Sequence, residues 1–275
     1  MKFGLITGIP RSGTTLAGAI IDQYDTSFCL SEPDAHVLLS QQAESADQFV
    51  QALVRAMQDT HAALVRGEAV ETRRSADGSP ITNYFTQGKK ARTSLFTKTA
   101  TNKENLQTDF TLCTKHNALY TAALPKLIQS GAFRIVAIVR SPIPVISSWR
   151  SLSLPISSGR LPAGERFWSE LANIAQGKTP LLEKQVLIFE LLCKRYRELS
   201  SSISIVHYDN MIDQPGLLAA ELGIAASPKA ESNIRELISP PRIPPDTDLI
   251  HDALCSMAAE GLLPATRGFF PELFT

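Results

Sequence analysis

Apolar residues along this chain fall into two spacings that take turns. Short apolar or β-branched runs occur at Phe3-Gly4-Leu5-Ile6-Thr7, Ser27-Phe28-Cys29-Leu30, Phe110-Thr111-Leu112-Cys113-Thr114, Phe133 to Val139 and Ile203-Ser204-Ile205-Val206-His207. Each run predicts a strand. The run from Phe133 to Val139 is the clearest, since strands of a parallel sheet are buried on both faces and read as unbroken apolar segments. Between the runs the spacing is helical. Leu16, Ile20 and Ile21 share one face, and from about Asp47 to Arg66 so do Val50, Leu53, Val54, Met57, His61, Leu64 and Val65. Leu119, Leu124, Leu127 and Ile128 mark a further helix. Another carries Val145, Ile146, Ser148 and Trp149, and Pro142 suits its first turn. A long amphipathic helix carries Leu182, Val186, Phe189, Cys193 and Tyr196, a short one spans about 214–222, and a last one lies near 249–259.

This alternation predicts one α/β domain over residues 1–275, with a mainly parallel sheet flanked by helices. Sites in such sheets lie at the carboxyl ends of the strands. Arg11, Glu32, Lys115, Arg140 and Tyr208 each fall just past a predicted strand. Pro33 restricts Glu32 to extended conformations, placing its side chain at a strand edge. The polar stretch 67–94, broken by Gly78-Ser79-Pro80 and Gly88-Lys89-Lys90, reads as loop or weak hairpin, either a cover for a site or a surface insertion. A glycine- and proline-containing connection covers 154–164, and 240–245 is proline-rich.

Composition removes several classes. In 275 residues, 27 basic and 27 acidic side chains cancel to a formal net charge of zero, with no dense basic run, so no nucleic-acid partner is expected. Cys29, Cys113, Cys193 and Cys255 lack the paired spacing of a zinc or redox motif and read as reduced residues of a cytoplasmic protein. No apolar run reaches the length of a membrane span, and Met1 leads straight into the first strand, leaving no room for a signal peptide. His61 has no second ligand at i+4 and reads as a core-edge residue.

The chemistry starts at Gly8-Ile9-Pro10-Arg11-Ser12-Gly13-Thr14-Thr15-Leu16. Strand, glycine loop and helix in that order form a cradle in which backbone N–H groups and the positive end of the helix dipole converge on an anion. The glycines have P-loop spacing, yet Thr14 holds the lysine slot and the cation sits earlier, at Arg11. Pro-Arg-Ser-Gly-Thr-Thr-Leu resembles the 5′-phosphosulfate loop of sulfotransferases, in the arginine form of tyrosylprotein sulfotransferases and many bacterial relatives. The resemblance implies that Arg11, Ser12, Gly13, Thr14 and Thr15 bind 3′-phosphoadenosine-5′-phosphosulfate (PAPS).

Four further segments extend it. Arg140 and Ser148, with seven residues between them, resemble the pair that holds the 3′-phosphate in that family. Arginine offers a planar fork to a dianion and serine adds a neutral donor. The plainer reading makes Arg140 a surface ion-pair member and Ser148 a solvent-facing residue. Glu32, 21 positions after Arg11, resembles the family's glutamate base, which takes the proton of the attacking hydroxyl; otherwise it is an N-cap or an ion-pair partner of Arg11. Leu-Cys-Thr-Lys at Lys115 resembles Leu-Cys-Asn-Lys, whose lysine neutralises the departing phosphate oxygen. In the cytosolic enzymes a histidine is the base; His116 sits one position early for that role and is the alternative to Glu32. Tyr208-Asp209-Asn210 resembles the tyrosine segment beside the donor nucleotide. The C-terminal Arg-Lys-Gly of cytosolic enzymes is absent, and Leu152 stands where the tyrosylprotein enzymes have arginine; Arg150 and Arg242 are the candidate substitutes.

These segments together imply a PAPS-dependent sulfotransferase acting on a hydroxyl or amine of a small soluble acceptor, with no metal required and no membrane partner. The rivals are a P-loop kinase or phosphotransferase, which needs Gly-Lys-Ser/Thr and a metal-holding aspartate, and a catalytically silent nucleotide-binding protein. The acceptor and the oligomeric state are not legible.

Overall fold

The five apolar runs become the five strands of one sheet in the computed structural model, which describes residues 3–75, 78–87, 92–94, 97–101, 106, 109–214, 216–238 and 244–275. In chain order the strands are β1 (Phe3–Gly8), β2 (Ser27–Ser31), β3 (Val70–Arg74), β4 (Phe85–Gln87), β5 (Arg92–Ser94), β6 (Thr97–Thr101), β7 (Thr111–Lys115), β8 (Phe133–Val139) and β9 (Ser204–His207). The central sheet has the order β2-β7-β1-β8-β9, and every neighbouring pair is parallel. From β1 the chain runs to the edge strand β2, returns inward to β7 between the two, and then crosses β1 to add β8 and β9 outward on the other side. The strand order therefore reverses beside β1, where open parallel sheets bind ligands.

Alternation along the strands divides the core. Leu5, Phe28, Leu30, Leu112, Ile135 and Val139 face the larger layer, built from helices Ala46–Val65, Ala118–Gln129, Pro142–Arg150 and Leu181–Glu198. Their neighbours Ile6, Cys29, Cys113, Val136, Ile138 and Val206 face helices Thr14–Ile21, Leu217–Leu222 and Pro228–Leu237. Each fully buried large apolar side chain contributes about 1.5–3 kcal/mol, which is why both faces of the sheet are covered. A buried polar seam crosses the larger layer. His36 Nδ1 and Thr114 Oγ1 both meet the Tyr120 hydroxyl, at 2.7 and 2.8 Å. The four cysteines are free. Among the described residues no helix is long and apolar enough to cross a membrane.

Several elements depart from the sequence pattern. Helix Asp34–Gln42 has no apolar stripe, because its buried residues are His36 and Ser40. Part of the polar stretch 67–94 is strand: β3 pairs with β6 and β4 with β5, both antiparallel. β3 escapes apolar patterning because the side chains it buries are Thr72 and Arg74. Arg74 forms a buried ion pair with Asp22. The helix expected over about 214–222 forms at Leu217–Leu222, and an unexpected short helix, Tyr208–Asp213, precedes it, so Tyr208 opens a helix directly after β9. Helix Ser169–Gln176 follows the 154–164 connection, which itself carries two short helical turns. Gly88-Lys89-Lys90, Arg242 and most of 240–245 lie outside the described residues.

Candidate active site

Each strand of the central sheet delivers one candidate residue at its carboxyl edge. Arg11 follows β1, Glu32 follows β2, Lys115 ends β7, Arg140 follows β8 and Tyr208 follows β9. A cavity of about 410 Å³ opens there, lined by Arg11, Gly13, Thr14, Thr15, Glu32, Arg140 and Tyr208 together with Arg73, Asn83, Tyr84, Phe85 and Asn117.

The glycine loop forms one wall. Gly13 caps helix Thr14–Ile21 with φ 100°, a left-handed conformation that glycine adopts without strain. A Cβ on Gly13 would lie 2.5 Å from Tyr208 Cδ2, so the loop and the tyrosine ring approach as closely as glycine permits. The first-turn amides of this helix have no carbonyl within the helix to bond, and the residues that carry them line the cavity. Ser12 points the other way: it is buried, its hydroxyl donating to the Ile138 carbonyl at 2.9 Å. Trp149 Nε1 ties down the Pro10 carbonyl at 2.7 Å.

Arg11 spans the loop and its surroundings. Its Nε donates to Ser148 Oγ at 3.1 Å, Nη2 donates to Asn83 Oδ1 at 3.2 Å, and its guanidinium lies 5.7 Å from the Phe85 ring centre. Ser148 therefore meets the site through Arg11. Arg140 stacks on Tyr208, with Cζ 4.0 Å from the ring centre. Arg150, a candidate substitute for the missing arginine, pairs with Asp246 at 3.3 Å and is outside the cavity lining.

Adjoining the loop lies a charge cluster. Lys115 is fully buried; its Nζ donates to Glu32 Oε1 at 2.5 Å and to Thr15 Oγ1 at 3.2 Å, and sits 4.7 Å from the Tyr84 ring centre. Glu32 keeps 20% of its side chain exposed, and its Oε2 accepts from Arg73 Nη1 at 3.1 Å. Burial alone pushes the Glu32 carboxyl up, but Lys115, His116 and Arg73 together outweigh it and hold the group below the ordinary carboxylate range. The Lys115 ammonium is opposed by burial, yet Glu32 and Tyr84 keep it above the usual lysine value. The two directions agree, as in a stable ion pair. At its edge, Tyr84 donates to or accepts from Ser31 Oγ at 2.6 Å.

Glu32 does not adopt the extended backbone that Pro33 favours. Its φ is +46°, and Arg11 has φ +73°; with Asp246 they are the left-handed non-glycine residues among those described. Such conformations cost about 1–3 kcal/mol each and cluster at sites where function fixes a side chain's aim. Local steric preference yields here because the carboxylate has two cations to meet. His116 is elsewhere: its ring tilts against Tyr120 with centroids 5.7 Å apart, it is outside the cavity lining, and burial lowers its imidazole to about 4. Between the two candidate bases, Glu32 is the one that reaches the cavity.

Sequence reasoning missed Arg73, Asn83, Tyr84, Phe85 and Asn117. The first four sit in a polar, glycine-interrupted stretch with no periodic signal. Asn117 adjoins the Lys115 segment, and its Oδ1 is buried without a hydrogen-bond partner among the described residues. A buried unpaired carbonyl in a cavity wall suits a donor group on a ligand.

Fold and site together define an α/β protein with a strand–glycine loop–helix cradle at the switch point of a parallel sheet. No protein-family model matches the sequence, and comparison with curated proteins gives no match either. Among solved structures the chain is similar to the sulfotransferase STF9 from Mycobacterium avium, at 13% identity over 86% of this chain and 67% of that one, with a TM-score of 0.40.

Proposed function

We propose that the protein is a sulfotransferase that uses PAPS and sulfates a hydroxyl or amine of a small acceptor. One observation carries the reading: five separated segments, each resembling a sulfotransferase element, converge around a single cavity. Arg11, Gly13, Thr14, Thr15, Glu32, Arg140 and Tyr208 line it, Lys115 lies beneath Glu32, and Ser148 is bonded to Arg11.

The residues suit the donor. The first-turn amides with Arg11 offer a cradle for its 5′-phosphosulfate, and Arg140 stacked on Tyr208 offers a cation and a flat ring for the nucleotide's 3′ side. PAPS supplies the sulfuryl group. Glu32 faces the cavity and takes the acceptor's proton as the new S–O bond forms. Arg11 places positive charge where the bridging oxygen leaves. Lys115 does not line the cavity; its charge acts through Thr15 and Glu32, which do. Catalysis is then mainly positioning and charge neutralisation. Three arginines and one glutamate line the cavity, a balance that favours an anionic donor.

Donor selection tests the reading. A kinase has no reason to grip a ribose 3′-phosphate, whereas a PAPS enzyme does. A charge-assisted contact is worth on the order of 1.5–3 kcal/mol, so adenosine 3′,5′-bisphosphate should bind at least about tenfold more tightly than AMP. Arg140→Ala should erase most of that preference and leave AMP binding nearly unchanged. Titration calorimetry on both proteins decides it, and equal affinities in the wild type would remove the assignment.

A further inference from the structure

Glu32 reaches the cavity with both oxygens engaged. Oε1 accepts from Lys115 at 2.5 Å, and Oε2 from Arg73 at 3.1 Å. A carboxylate held by two cations is a poor proton acceptor, so one must withdraw before Glu32 can act as a base. The two are not equally able to move. Lys115 stands on β7 inside the central sheet with no exposed surface. Arg73 stands on β3, outside that sheet, is 17% exposed and lines the cavity.

Arg73 also has somewhere to go. Its other arm, Nη2, donates to Asp34 Oδ1 at 2.9 Å. Asp34 is the first residue of helix Asp34–Gln42, where the helix dipole favours an anion. The backbone around Arg73 is held: Ser31 N–H donates to Thr72 Oγ1 at 3.0 Å, and Arg74 is ion-paired with Asp22. Only the side chain need shift, sliding wholly onto Asp34 without leaving a buried cation unpaired.

We propose that Arg73 is a positioning residue that switches Glu32 between a clamped and a proton-accepting state, with Asp34 as the alternative anchor for its guanidinium. This rests on the sulfotransferase reading for the use made of the proton, but not for the clamp itself. Among the described residues, the charged and titratable groups facing Glu32 are Lys115 and His116 from β7 and its end, Arg73 from β3, and Tyr84 from the segment ahead of β4; Asp34 acts on it through Arg73. An opposite charge this close typically shifts a carboxyl by about one to three pH units, so the clamp is measurable.

The test reads the Glu32 carboxyl directly, by carbon-13 NMR of protein labelled at the glutamate side-chain carboxyl, with Glu32→Gln assigning the signal. Arg73→Gln should raise the Glu32 titration midpoint by about one unit or more. Asp34→Asn, which removes the competing carboxylate from the Arg73 guanidinium, should lower it. Asp34→Asn should also reduce kcat about tenfold at unchanged KM, since the clamp no longer opens. Arg73→Lys, which keeps the charge but cannot fork, should give a midpoint between wild type and Arg73→Gln. A midpoint that is the same in wild type, Arg73→Gln and Asp34→Asn overturns the proposal. If the midpoints move as expected in a protein that transfers no sulfuryl group, the clamp stands and the sulfotransferase reading falls. If sulfuryl transfer occurs and the midpoints do not move, the clamp falls and the sulfotransferase reading stands.

Discussion

Replacing Glu32 by glutamine tests the centre of the site through stability and turnover together. The change keeps shape and removes one charge. Lys115 then holds a fully buried ammonium whose nearest carbonyl oxygen is neutral, with Thr15 Oγ1 and the Tyr84 ring as remaining partners. Breaking a buried pair by removing one partner costs about 3–5 kcal/mol, and glutamine still accepts one hydrogen bond, so the loss should be on the order of 3 kcal/mol. For a chain of this size that is a fall in Tm of roughly 6–12 °C. Removing both charges should be much cheaper: Glu32→Gln combined with Lys115→Met should return to within about 1 kcal/mol of wild type, because no buried charge is left unpaired. Denaturant unfolding of wild type, both single variants and the double variant at pH 7.5 gives the coupling energy. Activity separates from stability in the same set. Both variants lacking Glu32 should lose about two to four orders of magnitude in kcat, measured with labelled donor on an acceptor found by metabolite screening. Lys115→Met costing the same with and without Glu32 would refute the pairing energetics. Near wild-type turnover by Glu32→Gln, with His116→Ala inactive, would refute the base.

Three more outcomes follow from the geometry. Burial holds His36 at about 3 and His116 at about 4, against an ordinary 6.5, so the unfolded chain binds more protons than the native one between about pH 4 and 6.5 and stability must fall as pH drops through that window. Each site contributes up to about 1.4 kcal/mol per pH unit, and Glu32 adds a loss of the same sign below its ordinary 4.5; unfolding free energies equal at pH 7 and pH 5 would contradict this. Gly13→Ala puts a methyl group 2.5 Å from the Tyr208 ring at φ 100°, so it should cost about 1–3 kcal/mol of stability and weaken adenosine 3′,5′-bisphosphate binding, whereas unchanged calorimetric affinity would detach Tyr208 from the nucleotide site. Arg11 with the charge at Lys115 can supply the cationic surroundings of sulfuryl transfer, so turnover should survive EDTA; strict dependence on Mg²⁺ with ATP as donor would favour a kinase.

The central sheet is written in the local pattern of apolar residues. β1, β2, β7, β8 and β9 are legible because a strand buried on both faces of a parallel sheet must be apolar along its length. The residues that follow them are legible as site candidates because the carboxyl edge of such a sheet is where the apolar run stops. Gly13 is legible because a left-handed turn into a helix calls for glycine. Tertiary structure decided which of these residues touch one another. Arg11 meets Ser148 across 137 positions and Lys115 meets Glu32 across 83, contacts that depend on strand order rather than on any local pattern. It also placed Lys115 beneath Glu32 and drove the Glu32 backbone to positive φ against the preference set by Pro33. Above all it brought in Arg73, on a strand that buries Thr72 and Arg74 and so carries no apolar signal. Electrostatic partners over such distances leave no periodicity, since a buried charge is recognisable only once its counter-charge is in place.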